Sequence, residues 1–95
     1  MDNDDHHHVE LFEALVALET AEDARNFLAD LCTPVEIKAF VERWNVCQLL
    51  DKKQFSYREI SKMTGASLTT IGRVARFLNE ENNGGYRKML RKFDR

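Results

Sequence analysis

Ninety-five residues suit one small domain with a modest core, so association with a second copy is a natural further source of stability. Hydrophobic residues make up 43% and charged residues 32%, which excludes global disorder, and no apolar run nears the roughly 20 residues of a membrane span. The net charge of −2 conceals an asymmetry: residues 1–31 hold nine acids and one base, residues 32–95 seven acids and thirteen bases, which fits either a nucleic-acid surface on the later part or scattered solvated charge.

The opening "MDNDDHHHVE" has no basic and apolar signal-peptide regions and reads as a disordered acidic tail over 1–8. His6, His7 and His8 could hold a metal, but no further ligands stand at suitable spacing, so a tag remnant or tail is the better reading and no cofactor is expected. "HVELFEALVALE" then places Val9, Phe12, Leu15 and Val16 on one helical face. Thr20 stops this helix and caps the next, with Asp23 three residues on; Ala24, Phe27, Leu28 and Leu31 form its stripe. "TPVE" is a stronger start, because Thr33 as cap, Pro34 at the first helical position and Glu36 reaching back agree. The helix it opens runs to about Leu50. Ile37, Phe40, Val41, Trp44 and Cys47 form its stripe, and Val46, Leu49 and Leu50 widen it, so contact on more than one side is expected.

Ser56 with Glu59 caps a short helix from Tyr57 that ends near Thr64. Gly65 suits a left-handed residue there, and Ser67 caps the following helix to about Glu80. "ENNGG" is a loop, and "YRKMLRKF" a basic helix with Met89, Leu90 and Phe93 as its apolar face. The layout is all-α with six helices. Cys32 and Cys47 lie in apolar patterns without metal-ligand spacing and read as buried, reduced thiols. No nucleophile–base pair or phosphate loop is present, so an enzyme is the poorest reading.

Two helices meeting at a glycine turn have the form of a helix-turn-helix. Ile60, Ala66, Ile71 and Val74 fall where the pair must pack, and Ser61 is small where the second helix approaches. Ser67, Thr69, Thr70, Arg73 and Arg76 are left facing outward, short donors early and cations later, as a recognition helix uses them. A helical hairpin with solvated arginines is the plainer alternative.

From "LCTPVEIKAF" through "ASLTTIGRVARFL", about Leu31 to Phe93, the chain resembles the Trp repressor superfamily, particularly its Trp-repressor-like bacterial branch. The "TP-E" start, the arginine ten residues on, "S-RE" and "GAS--TI-R" carry the likeness. It implies an intertwined homodimer, with a dimer core over about 9–51 plus the C-terminal helix and a helix-turn-helix over about 56–80, in one domain spanning 9–95. It also implies a cytoplasmic, nucleoid-associated regulator, a repressor on double-stranded DNA. Arg58 matches a base-reading arginine, although an exposed charge on a capped turn would look the same. Leu68, Thr69 and Thr70 match the base-reading start of the second helix. Arg76 and the tail Arg87, Lys88, Arg91 and Lys92 fit phosphate contacts or plain solvation equally. In the effector pocket Thr33, Arg43 and Arg73 match the family's contacts. Val74 stands for a glycine and Phe77 for a serine, which adds bulk and removes a hydroxyl that meets the ligand amine. No tryptophan binding is therefore expected, and Phe77 is expected to fill the pocket. The alternative use of the fold is an adaptor, docking proteins through the helix-turn-helix.

Overall fold

The computed structural model describes residues 3–94, and among these it contains six α-helices and no strand. They are α1 (Asn3–Val16), α2 (Ala21–Leu31), α3 (Pro34–Lys52), α4 (Tyr57–Thr64), α5 (Leu68–Asn79) and α6 (Gly85–Phe93). The chain divides into two compact units, one up to Ile37 and one from Lys38 onward.

In the first unit the helix expected from Val9 begins at Asn3. The disordered tail expected over 1–8 is therefore helical from residue 3; residues 1 and 2 lie outside the described residues. Side-chain pairs along the helix accompany this earlier start. His6 Nε2 lies 2.8 Å and His7 Nδ1 3.8 Å from Glu10 Oε1, the spacing at which helical neighbours meet. The apolar residues of α1 remain open: Phe12 is 57% and Val16 84% exposed. Thr20 caps α2 by accepting the Asp23 N–H at 3.0 Å, and Asp23 reaches back to the Glu19 N–H at 3.4 Å. On α2, Ala24, Phe27 and Leu28 are half-buried and no residue is fully buried. Cys32 ends α2, its N–H bonded to the Leu28 carbonyl, and is half-buried rather than buried. The start of α3 is a reciprocal capping box: Thr33 Oγ1 accepts from Glu36 N at 3.2 Å, and Glu36 Oε1 from Thr33 N at 2.8 Å.

The second unit holds the core. Val46 and Cys47 of α3 meet Ile60 of α4, Ala66 of the turn, and Ile71, Val74 and Leu78 of α5, all fully or nearly fully buried. Trp44, Leu49, Leu50, Phe55, Tyr86 and Leu90 close over this cluster. The wide apolar arc of α3 is thus covered on one side only, and Phe40 and Val41 stay 45% and 52% exposed. Helix α6 is held by rings and one cation. Trp44 stacks on Tyr86 at 6.5 Å and meets Phe93 edge-on at 6.3 Å. Arg87 donates to the Leu78 carbonyl at 3.2 Å, to Asp51 Oδ1 at 3.1 Å and to Asn79 Oδ1 at 2.6 Å. That side chain, expected to be solvated or on phosphate, instead ties α6 to the ends of α3 and α5.

Candidate nucleic-acid interface

The α4–turn–α5 hairpin is fixed by short side chains before packing contributes. Ser56 Oγ accepts from Glu59 N at 3.1 Å while Glu59 Oε1 accepts from Ser56 N at 2.9 Å. These bonds hold the Glu59 carboxyl below its usual range, the backbone N–H of Ser56 contributing most. At the far end Gly65 adopts φ +80°, and its N–H closes on the Ser61 carbonyl at 2.9 Å. A left-handed residue here is what glycine supplies without steric cost. Thr64 Oγ1 donates to the Ile60 carbonyl at 2.8 Å and accepts from Ala66 N at 3.1 Å. Ser61 Oγ donates to the Ala66 carbonyl at 2.7 Å, so Ser61 is a bonded strut across the turn as well as a small contact. Ser67 then caps α5, accepting from Thr70 N at 3.1 Å. These bonds brace the turn between α4 and α5.

Arg58 lies exposed in the first turn of α4, and Ser67, Leu68 and Thr69 lie exposed at the start of α5. Thr70 does not face fully outward as expected: it is half-buried, and its hydroxyl meets Ser67 Oγ at 3.1 Å. Its nearness to the buried Ile71 and its bond to the cap explain the change. Arg73 and Arg76 are exposed, and both guanidiniums rest on one ring, 4.3 and 5.1 Å from the centre of Phe77. Arg76 Nε is also 3.9 Å from Glu81 Oε1, a weak exposed pair that an anion can displace. The first turn of α5 carries no acid. Beyond the Ser67 cap on the Thr70 N–H, no carboxylate offsets the positive end of α5, an arrangement that favours a phosphate nearby.

The pocket residues come together in part. Arg43, Arg73, Val74 and Phe77 line one open cleft of about 620 Å³ with Phe40, Trp44, Asn83, Gly85, Tyr86 and Met89. Thr33 belongs to the other unit, where it caps α3. Phe77 does not fill the cleft as expected. Its half-buried ring lines the cleft, with the Arg73 guanidinium against it, so it forms a wall. Arg43 lies likewise over Phe40, 5.2 Å from the ring centre. Burial, reinforced by nearby Cys47, pushes the Tyr86 hydroxyl up, while Arg43 and Arg73 oppose the shift. Burial and the Asp51 carboxylate push the Cys47 thiol up to about 11, leaving it protonated. Sequence reasoning missed Asn83, Tyr86 and Met89 as cleft residues; an aromatic one residue after a glycine pair was the only available signal.

The profile of the Trp repressor protein family matches residues 6–94. The chain belongs to that family, one of helix-turn-helix regulators. It is 38% identical over 74 residues to the uncharacterised protein YerC of Bacillus subtilis strain 168, covering 78% of this chain and 70% of that one. It is also similar to the crystal structure of a TrpR-like protein from Eubacterium eligens ATCC 27750, with a TM-score of 0.81 and 36% identity over 88% of this chain and 84% of the other. A crystal structure from Staphylococcus aureus, of a protein proposed to be a Trp repressor, gives a TM-score of 0.86 and 35% identity over 94% and 87% of the two chains.

Proposed function

We propose that the protein is a sequence-specific transcriptional repressor that binds double-stranded DNA as a homodimer and does not use tryptophan as a corepressor. The observation that carries the reading is the bonded α4–α5 hairpin, which buries Ile71, Val74 and Leu78 while presenting Arg58, Ser67, Leu68 and Thr69 on its open side. Arg58 is suited to pair with a guanine, and Arg73 and Arg76 to neutralise phosphates. Dimerisation is supported by the half-covered arc of α3 and the open apolar residues of α1, too much apolar surface for a single small chain to leave in water. A dimer reads two half-sites about 34–36 Å apart or a multiple of that, and its axis makes the operator near-palindromic.

Independence from tryptophan is supported by the charge of the cleft. Its lining holds two guanidiniums and no carboxylate. An amino acid's carboxylate would find partners there, while its ammonium would face cations with only Asn83 and Tyr86 to meet it. No helix among the described residues is long and apolar enough to cross a membrane; as a regulator, the protein would act on the nucleoid in the cytoplasm. The adaptor reading has one observation in its favour, the exposure of Tyr57, Met63 and Leu68 on the hairpin. Selection from a pool of random duplexes separates the two. A repressor enriches one near-palindromic sequence; an adaptor enriches none.

A further inference from the structure

The sequence "TTIGRVAR" puts a glycine, Gly72, in the interior of α5. Glycine in a helix interior costs stability because it loses most backbone freedom on folding, so its presence needs a reason. Three reasons internal to the chain fail. Gly72 does not have a positive φ, unlike Gly65 and Gly84, so no unusual backbone requires it. It does not mark a close approach of α5 to another element, because a Cβ built there meets nothing within 4 Å. It is not a helix end, because α5 continues to Asn79. Gly72 is half-buried, yet the position its Cβ would take is open. Helical spacing sets it beside Leu68, Thr69, Ala75 and Arg76, at the margin where the buried face carrying Ala75 gives way to the exposed Thr69 and Arg76.

We propose that Gly72 is the point at which the DNA sugar-phosphate backbone comes closest to α5, and that a side chain here would hold the helix out of the groove. The inference rests on the DNA-binding reading and adds to it a residue that contributes by having no side chain. DNA is the occupant the neighbours favour: the Thr69 hydroxyl and the Arg76 guanidinium stand at helical spacing from Gly72, and the first turn of α5 carries no acid to repel a phosphate.

Gly72→Ala separates stability from binding. The alanine is a better helix former with free space around it, so Tm should rise, by about 3–6 °C in a domain of this size. Affinity for the selected duplex should fall roughly tenfold, the usual scale of crowding a close contact by one methyl group. An unrelated duplex should lose a similar factor, because the backbone is common to both. Gly72→Leu, also a good helix former, should lose more. Sedimentation mass without DNA should not change for either variant. If wild type binds the duplex and Gly72→Ala binds equally well, the inference is overturned while the repressor reading stands. A fall in Tm would mean that the chain's own packing requires the glycine, and a changed sedimentation mass would mean that a second copy sits there; either overturns it. If wild type binds no duplex at all, the repressor reading and this inference fall together.

Discussion

At the residue scale the two arginine positions on the hairpin have separable consequences. Arg58 stands exposed at the start of α4 with no ring or carboxylate against it among the contacts described above, so its guanidinium is available to a base edge. Arg58→Ala should cost about 1–3 kcal/mol on the selected site and relax the base choice at one position per half-site. Arg76 rests on Phe77 and leans to Glu81. Arg76→Ala should weaken all duplexes evenly and flatten the salt slope by about one. Binding isotherms of both variants on matched and mismatched duplexes check the assignment; equal loss from Arg58→Ala on both would contradict base reading. The two thiols differ as well. Cys47 is fully buried and pushed up to about 11, whereas Cys32 is half-buried at a helix end. A thiol reagent at neutral pH should modify Cys32 first and Cys47 only after unfolding, as mass spectrometry of the labelled protein would show.

At the element scale the helix ends were the most legible feature of the sequence. Thr20, Thr33, Ser56, Ser67 and Gly65 each announce a boundary through a local preference, and each makes a bond close to it in sequence. Contacts between distant residues were not legible. Arg87 reaches Asp51, 36 residues away, and nothing in "YRKMLRKF" distinguishes it from its neighbouring cations. Phe77 was read by volume alone, and the cation that turns it into a wall could not be foreseen. The start of α1 was missed because an acidic, His-rich segment lacks the apolar period that marks a helix. Two stability predictions belong here. Gly65→Ala places a side chain at φ +80° and should cost roughly 1–2 kcal/mol, measured from the urea midpoint. The capping carboxylates Glu36 and Glu59 are both held below the ordinary 4.5 by bonds to their caps. A carboxyl lowered in the folded state binds protons more weakly there than when unfolded. Its contribution is therefore present above about pH 4.5 and is lost as the pH falls through the lowered folded value. Glu59→Gln should blunt the acid loss of Tm, since an amide does not titrate in that window.

At the scale of the whole molecule, apolar surface and charge distribution point the same way. The first 31 residues are strongly acidic and the rest basic, so on the proposed function a duplex would approach the second unit. The exposed apolar residues of α1 and α3 suit the proposed second copy better than a duplex. Light scattering at micromolar concentration should return twice the 11.1 kDa chain mass; a fully helical monomer would remove the dimer from the account. Calorimetry with free tryptophan should show no saturable heat, and a tryptophan-dependent rise in affinity would overturn the reading of the cleft. The central claim, that the hairpin grips duplex DNA through its phosphates, is tested most directly by measuring the affinity for the selected duplex across salt concentrations. The account predicts a linear fall of log affinity with log salt, with a slope of about −0.9 for each phosphate neutralised, so several units for a dimer. An affinity that did not change with salt, or no binding at the lowest salt, would contradict it.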